Sequence, residues 1–202
     1  MATTASDQDR RRRRRRRRTQ IVIIYMAIAI GLAWFFESQA TTTIIFVRHA
    51  EIAAMPVGDP SLSYAGRQRV AELTRQLAAA DVIAGIDAIY VTPYRRTQET
   101  VRPIADQLNL PINVYDAEDT EIVLGTILKA HKGKIILVVG HSNTIPVLIA
   151  NLGASKRVPE IAADEYDNIY VISIPWFGKT KTIRLRYGTP YRGDDGQTAP
   201  AL

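Results

Sequence analysis

Short apolar runs rich in β-branched residues alternate with helical patterns over most of the chain, and this alternation constrains the fold more than any other feature. Such runs are typical of strands buried on both faces of a sheet, and the intervening helices allow neighbouring strands to be parallel. The alternation therefore predicts an α/β fold, a three-layer sandwich with a mostly parallel central sheet flanked by helices. The predicted strands are Thr43–Val47, Ile86–Thr92, Ile112–Tyr115, Ile135–Val139, Asn168–Ile174 and Lys181–Arg186, and the predicted helices are Ser63–Ala80, Thr97–Leu108, Thr120–Ala130 and Thr144–Leu152.

The first forty residues follow a different pattern. Nine consecutive arginines, Arg10–Arg18, precede the uncharged apolar run Ile21–Phe36. Because adjacent arginines cannot all pack against a core, a basic flank followed by an apolar run indicates a targeting segment. The run is either the core of a signal peptide cleaved after Ala40 or a single transmembrane anchor that is retained. Both alternatives leave residues 1–20 in the cytoplasm and place the body of the protein on the periplasmic or other extracytoplasmic side.

The charge and the cysteine count exclude several classes of protein. The first forty residues, with nine arginines and three acids, account for the whole net charge of +6, so the chain from Thr41 onward is formally neutral. A nucleic-acid-binding domain carries its positive charge on a folded face, so no nucleic-acid partner is predicted for the body. The chain has no cysteine, which excludes disulfides, thiolate metal sites and a cysteine nucleophile. We expect a catalytic domain over residues 41–188 and a flexible tail over residues 189–202.

Polar side chains follow three of the predicted strands at the point where each strand ends. Arg48 and His49 follow the first strand, Arg96 comes shortly after the second, and His141 and Asn143 follow the fourth. Ligands of open α/β sheets bind outside the carboxyl ends of the strands. Arginine forks and imidazoles that converge there make a phosphate pocket, in which a neutral imidazole can attack phosphorus. The predicted ligand is a small phosphorylated substrate, and neither a metal nor an organic cofactor is predicted.

The segments VRHAE, LSYAGRQRVAEL, TPYRRTQET and VVGHSNT, in this order, resemble the histidine phosphatase (phosphoglycerate mutase-like) superfamily. The resemblance extends over roughly residues 43–188. It implies that His49 is the phosphorylated nucleophile and that Arg48 and Arg96 bind the phosphoryl oxygens. It further implies that His141 completes the pocket and stabilises the transition state, and that Asn143 lines the pocket.

The chain also departs from the family pattern. Ile52-Ala53-Ala54-Met55 stands where the mutases of the family carry a serine and an asparagine, which favours a small phosphatase. The general acid of the family belongs just after the third strand, where either Asp116 or Glu118 fits. Asp119, in the same segment, is interpreted as a helix cap.

The expected activity is that of an exported phosphomonoesterase that works through a phosphohistidine without a metal. One alternative is a catalytically silent module that binds a phosphoryl ligand in the same pocket. Another is a phosphoglycerate mutase-type phosphotransferase. Three further residues are interpreted as structural: Arg95 as a surface charge, His131 as a helix-end cation, and Tyr166 as part of a loop.

Overall fold

The computed structural model of the protein describes residues 3–38, 41–79, 85–116, 120–155 and 157–193. The chain divides into two compact units, Met1–Ala40 and Thr41–Leu202. Within the described residues the elements are α1 (Thr3–Ser38), β1 (Thr41–Arg48), α2 (Tyr64–Ala79), β2 (Ala88–Val91), α3 (Arg95–Leu108), β3 (Ile112–Val114), α4 (Thr120–Ala130), β4 (Ile135–Gly140), α5 (Thr144–Asn151), β5 (Asn168–Pro175) and β6 (Lys181–Arg186).

The first unit contains the single helix α1, which runs without interruption from the arginines through the apolar residues. The large apolar side chains from Ile21 to Phe36 are all exposed. They surround the helix instead of forming one stripe, so the helix lacks the amphipathic face of a segment that lies along a membrane surface. Within the described residues, one helical stretch, Arg12–Phe36, is long and apolar enough to span a membrane, a criterion that a signal sequence also meets.

The second unit is built on one six-stranded sheet with the order β3-β2-β4-β1-β5-β6. The first four of these strands are parallel to one another, whereas β5 and β6 are antiparallel to their neighbours. Strands β1, β2 and β3 are each followed by a helix that crosses back over the sheet, which allows a parallel neighbour, and β5 and β6 are joined by a short hairpin. The predicted α/β fold with a mostly parallel sheet is confirmed.

Helices cover both faces of the sheet and bury its apolar residues. On one face, Leu73 of α2 and Ile104 of α3 pack in a buried cluster with Leu137 of β4. On the other face, Ile127 of α4 packs in a second cluster with Phe46 of β1. The sheet residues are apolar on both faces because both faces are covered, and this is why the strands appear in the sequence as continuous apolar runs.

The helices and strands begin and end within two residues of their predicted bounds. Helix α3 begins at Arg95, two residues before the predicted Thr97. A carboxylate from another loop explains the difference: Asp59 accepts a hydrogen bond from the backbone N–H of Arg95 at 2.9 Å. Asp59 thus acts as the cap for the first turn, and a cap so distant in sequence leaves no local signal.

Candidate active site

The two histidines predicted to form the site lie side by side at the carboxyl edge of the sheet. Strands β1 and β4 are adjacent and parallel, so the residues that follow them meet at this edge. The backbone N–H of His49 donates to the carbonyl of Gly140 at 3.0 Å, which holds the two strand ends together. The rings of His49 and His141 are 5.3 Å apart between centroids.

The imidazole of His49 is held in the orientation and tautomer that a nucleophile needs. Its Nδ1 lies 2.9 Å from the carbonyl oxygen of Ala50. Because a carbonyl oxygen only accepts, Nδ1 carries the proton and Nε2 presents its lone pair. Burial is the main cause that lowers the pKa of His49 to about 3; the hydrogen bond to the Ala50 carbonyl opposes this shift, and the positive charge of Arg48 adds to it. The ring is therefore neutral at ordinary pH and available for attack.

A chain of hydroxyl groups fixes the ring of His141. The hydroxyl of Thr97 lies 2.8 Å from the backbone carbonyl of Thr92, to which it donates. It therefore accepts from the Thr92 hydroxyl at 3.0 Å, and that hydroxyl accepts from Nε2 of His141 at 2.9 Å. Nε2 thus carries a proton in this network. Burial lowers the pKa of His141 to about 4, with Arg96 the next contribution.

Three backbone carbonyls hold the guanidinium group of Arg48 and leave its Nε without a protein partner among the described residues. Its Nη1 donates to the carbonyls of Ala162 and Glu165, and its Nη2 donates to the carbonyl of Ala163. The guanidinium lies 4.1 Å from the ring centroid of Tyr166. Its Nε is buried and has no hydrogen-bond partner among the described residues. A buried donor of this kind is costly unless a ligand accepts from it, so Nε is the natural contact for a phosphoryl oxygen.

Arg96 occupies a similar place on the other side of the pocket. Its guanidinium lies 4.2 Å from the ring centroid of Tyr94, and Nη1 is 3.7 Å from a carboxylate oxygen of Asp59. The hydroxyl of Thr100 donates to the Arg96 carbonyl and accepts from the N–H of Ala50, which links the start of α3 to the residue after His49. Arg95, by contrast, is exposed and lies 3.6 Å from Glu99, as expected for a surface charge.

Two cavities meet at this site. One of about 400 Å³ is lined by His49, Arg96, His141 and Asn143, with Tyr94, Ser142 and Thr144 beside them. The other, of about 640 Å³, shares His49 and Arg96 with the first and contains Arg48. We call this second cavity the vestibule; its remaining lining is Ile52, Ala53, Ala54, Pro56, Val57, Gly58, Pro60, Ala163 and Tyr166. The larger groove between α2 and α3 is lined by neither histidine.

The general acid remains a prediction. Asp116 is exposed after β3 and lines neither cavity, and Glu118 and Asp119 lie outside the described residues. His131 bonds the hydroxyl of Tyr90 at 2.9 Å, which agrees with its structural interpretation.

Two tyrosines of the pocket were not identified as site residues from the sequence. Tyr94 lies 5.2 Å from the His141 ring between centroids, and Tyr166 lies 5.9 Å from the His49 ring. The interpretation of Tyr166 as a loop residue was therefore incomplete, since its ring forms part of the pocket wall. A signal was available for Tyr94, which stands inside the motif that contains Arg96.

The carboxylate of Glu51, two residues after His49, pairs with Arg69. Oε1 of Glu51 accepts from Nε of Arg69 at 2.8 Å. Among the described residues, no group of three or more histidine, aspartate or glutamate side chains is placed to hold a metal ion. The chemistry that this arrangement can perform is attack by the imidazole of His49 on a phosphoryl group held between two arginines.

Comparison with protein families supports the same interpretation. The sequence model of the histidine phosphatase superfamily (branch 1) matches residues 44–118, which contain His49, Arg48 and Arg96. Over these residues the chain is similar to the histidine phosphatase superfamily. His141 and Asn143 lie beyond the matched residues, and they join the pocket through the parallel pairing of β1 with β4.

Solved structures of several phosphatases share the fold. The protein histidine phosphatase SixA in complex with tungstate is 20% identical over 71% of this chain and 96% of its own, with a TM-score of 0.60. A mycobacterial glucosyl-3-phosphoglycerate phosphatase with inorganic phosphate is 13% identical over 70% of this chain and 94% of its own, with a TM-score of 0.55. A phosphoserine phosphatase variant from Entamoeba histolytica with phosphoserine is 14% identical over 67% of this chain and 95% of its own, with a TM-score of 0.51. No curated protein matches the sequence.

Proposed function

We propose that this protein is an exported phosphomonoesterase that hydrolyses a phosphate ester through a phosphohistidine at His49. The observation that carries the proposal is the neutral imidazole of His49, whose Nδ1 bonds the Ala50 carbonyl and whose Nε2 is left as the nucleophilic atom. Arg48 and Arg96 lie beside it, and both are cations able to hold a phosphoryl group. The match of residues 44–118 to the histidine phosphatase superfamily supports the same activity.

In the first step, Nε2 of His49 attacks phosphorus, a P–N bond forms, and the bond from phosphorus to the ester oxygen breaks. The guanidinium groups of Arg48 and Arg96 stabilise the equatorial oxygens as their charge redistributes. The leaving oxygen takes a proton from a general acid, for which Asp116 and Glu118 remain the proposed candidates.

In the second step, water attacks phosphorus and the P–N bond breaks. The same carboxylate accepts the proton from water, so that inorganic phosphate leaves and His49 returns to its neutral form. His141 supports both steps, because its ring is fixed by Thr92 and lies beside the ring of His49. The negative charge of a dianionic phosphate offsets the positive charge of the two arginines and so favours the cationic form of His141. In that form His141 also donates a hydrogen bond from Nδ1.

The vestibule supports a phosphatase more than a mutase of phosphoglycerate. Among the described residues, the charged side chains in its lining are Arg48 and Arg96, which the phosphoryl group itself requires. A phosphoglycerate carries an additional carboxylate, for which the vestibule lining holds no further cation.

We further propose that the N-terminal segment exports the domain and that no metal takes part in turnover. The arginines and apolar residues of α1 support the direction of export. Both the cleaved signal and the retained anchor remain compatible with this helix.

Replacing His49 tests the proposed nucleophile. His49→Ala is expected to lower the hydrolysis of p-nitrophenyl phosphate by at least three orders of magnitude, because loss of a nucleophile removes the covalent route. When a reaction of the wild-type protein is quenched without acid, the phosphoryl group of the substrate is expected to be found on His49. A variant that retains about a tenth of the activity or more contradicts covalent catalysis at this residue.

His131→Ala is the matched control, because it removes a histidine that lies outside the pocket. It is expected to keep near wild-type turnover.

Chelation tests the proposed independence from metal. Activity that is lost in EDTA and restored by zinc or magnesium contradicts the phosphohistidine route in favour of metal-activated water.

A further inference from the structure

The hairpin between β5 and β6 carries an exposed aromatic pair. Trp176 is 58% exposed and Phe177 is 89% exposed. Lys179 and Lys181, which follow in the same hairpin, are also exposed. Large aromatic side chains prefer the interface between hydrocarbon and headgroups, and lysines beside them favour anionic headgroups. This combination is typical of a surface that contacts a lipid bilayer.

The position of the hairpin in the sheet is as informative as its composition. Thr41 at the start of β1 pairs with Pro175, the residue before Trp176. The hairpin therefore lies at the edge of the sheet where the domain begins, and the pocket lies at the opposite edge, after Arg48. Thr41 follows Phe36 by five residues in the sequence, and an extended chain of five residues covers at most about 18 Å. A bilayer that holds the apolar segment is thus within reach of this edge.

More positive charge lies at the same edge of the sheet. Lys132 and Lys134 are exposed in the turn before β4, where the N–H of Gly133 donates to the hydroxyl of Thr42. Lys134 pairs with Asp87 at 2.9 Å, and Lys132 adds an exposed cation beside it. The edge is therefore complementary to an anionic lipid surface.

We propose that the tip of the β5–β6 hairpin docks on a bilayer that contains anionic lipids, with Trp176 and Phe177 in the interface and Lys179 and Lys181 on the headgroups. Two aromatic residues alone give weak binding. A second attachment in the same chain raises their effective concentration at the membrane, so the hairpin and the N-terminal segment act together.

The two tryptophans of the chain, Trp34 and Trp176, allow a direct test. In the full chain, Trp34→Phe leaves Trp176 as the single reporter, and Trp176→Phe leaves Trp34. Each variant is reconstituted in vesicles of phosphatidylcholine and phosphatidylglycerol whose acyl chains are brominated, since bromine quenches tryptophan emission only where the ring reaches the lipid. We expect most of the emission of both single tryptophans to be lost.

Quenching of Trp34 without quenching of Trp176 overturns the proposal, because it leaves the hairpin in water beside an inserted segment. Quenching of neither residue overturns both the docking and the anchor. The double substitution Lys179→Glu and Lys181→Glu is expected to reduce the quenching of Trp176 and to leave that of Trp34 unchanged. If Trp176 stays fully quenched in this variant, the role of the lysines is refuted.

Hydrolysis of p-nitrophenyl phosphate by the same vesicles separates this proposal from the proposed function. The hairpin lies at the edge opposite His49, so Trp176→Phe is expected to leave turnover unchanged. If docking fails while hydrolysis persists, only the proposed docking of the hairpin is contradicted. If docking persists while hydrolysis is absent, only the proposed phosphatase activity is contradicted.

Discussion

At the scale of single residues, two adjacent arginines have different surroundings. Arg96 lies on the ring of Tyr94 and lines both cavities, whereas Arg95 extends into solvent beside Glu99. Both lie in the first turn of α3, so replacing either one removes the same charge from almost the same place.

Arg96→Ala is expected to lower kcat/KM for p-nitrophenyl phosphate by a factor of about 10² to 10³, as for other groups that stabilise transition-state charge. It is also expected to weaken competitive inhibition by vanadate. Arg95→Ala is expected to change both quantities by no more than about twofold, because exposed pairs contribute little. Equal losses in the two variants contradict the assignment of Arg96 as the phosphate ligand.

The histidines and arginines of the pocket could be predicted from the sequence because each follows an apolar strand within a short motif. Tyr166 could not, since its place beside His49 depends on the path of the loop that Arg48 holds by three carbonyl contacts. The role of Thr92 was also hidden, because a threonine at the end of a strand has no local feature that indicates its bond to His141.

At the scale of elements, α2 packs closely against the segment that follows His49. The N–H of Ser63 donates to the carbonyl of Glu51 at 2.9 Å, and a Cβ placed on Gly66 would overlap that same carbonyl oxygen. Glycine is required there by the close approach of two backbones.

Gly66→Ala is therefore expected to lower the free energy of unfolding by about 1 to 3 kcal/mol and to reduce turnover, because the shifted Glu51 displaces His49. Gly125→Ala in α4 is the control, since nothing lies within 4 Å of its Cβ position. That variant is expected to be up to about 1 kcal/mol more stable with unchanged turnover. Chemical denaturation of the full chain in detergent measures both effects, and equal stabilities contradict the proposed overlap.

The type and extent of the elements could be predicted, but their order in the sheet could not. Each apolar run indicates a strand buried on both faces, but it does not indicate which strand lies next to it. The central position of β1 between β4 and β5 is therefore set by long-range pairing. The start of α3 was wrong by two residues, because its cap comes from Asp59 in another loop.

At the scale of the whole molecule, the buried histidines make stability depend on pH. Unfolded histidine binds a proton near pH 6.5, whereas burial lowers the pKa of His49 to about 3 and that of His141 to about 4. Between these values the unfolded chain binds more protons than the folded one. Acid therefore favours unfolding, and the stability present above pH 6.5 is lost as the pH falls toward 4 and below.

Replacing both histidines by glutamine is expected to make the free energy of unfolding depend less steeply on pH. The slope falls by as much as about 2.7 kcal/mol per pH unit over the range in which both histidines are protonated in the unfolded chain and neutral in the folded one. Denaturant titrations of the wild type and the double variant between pH 7 and 4 measure the difference. Parallel pH profiles contradict the neutral state of the two histidines.

The direction of export is also a property of the whole chain. A reporter that is active only outside the cytoplasm, fused to the carboxyl terminus, is expected to give signal, and a cytoplasmic reporter is expected to give none. The mass of the mature chain then distinguishes cleavage after Ala40 from retention of residues 21–36. Signal from the cytoplasmic reporter alone contradicts export.

The opposite positions of the hairpin and the pocket restrict which molecules can be hydrolysed. Strand β1 has eight residues and runs from one edge of the sheet to the other, a distance of roughly 23 Å. When the hairpin rests on a bilayer, the mouth beside His49 opens toward bulk water, beyond the reach of a lipid headgroup in that leaflet. Encounter is then governed by diffusion in the aqueous phase. The enzyme would be held at the surface yet supplied from solution, and the phosphate it releases would leave into the same compartment.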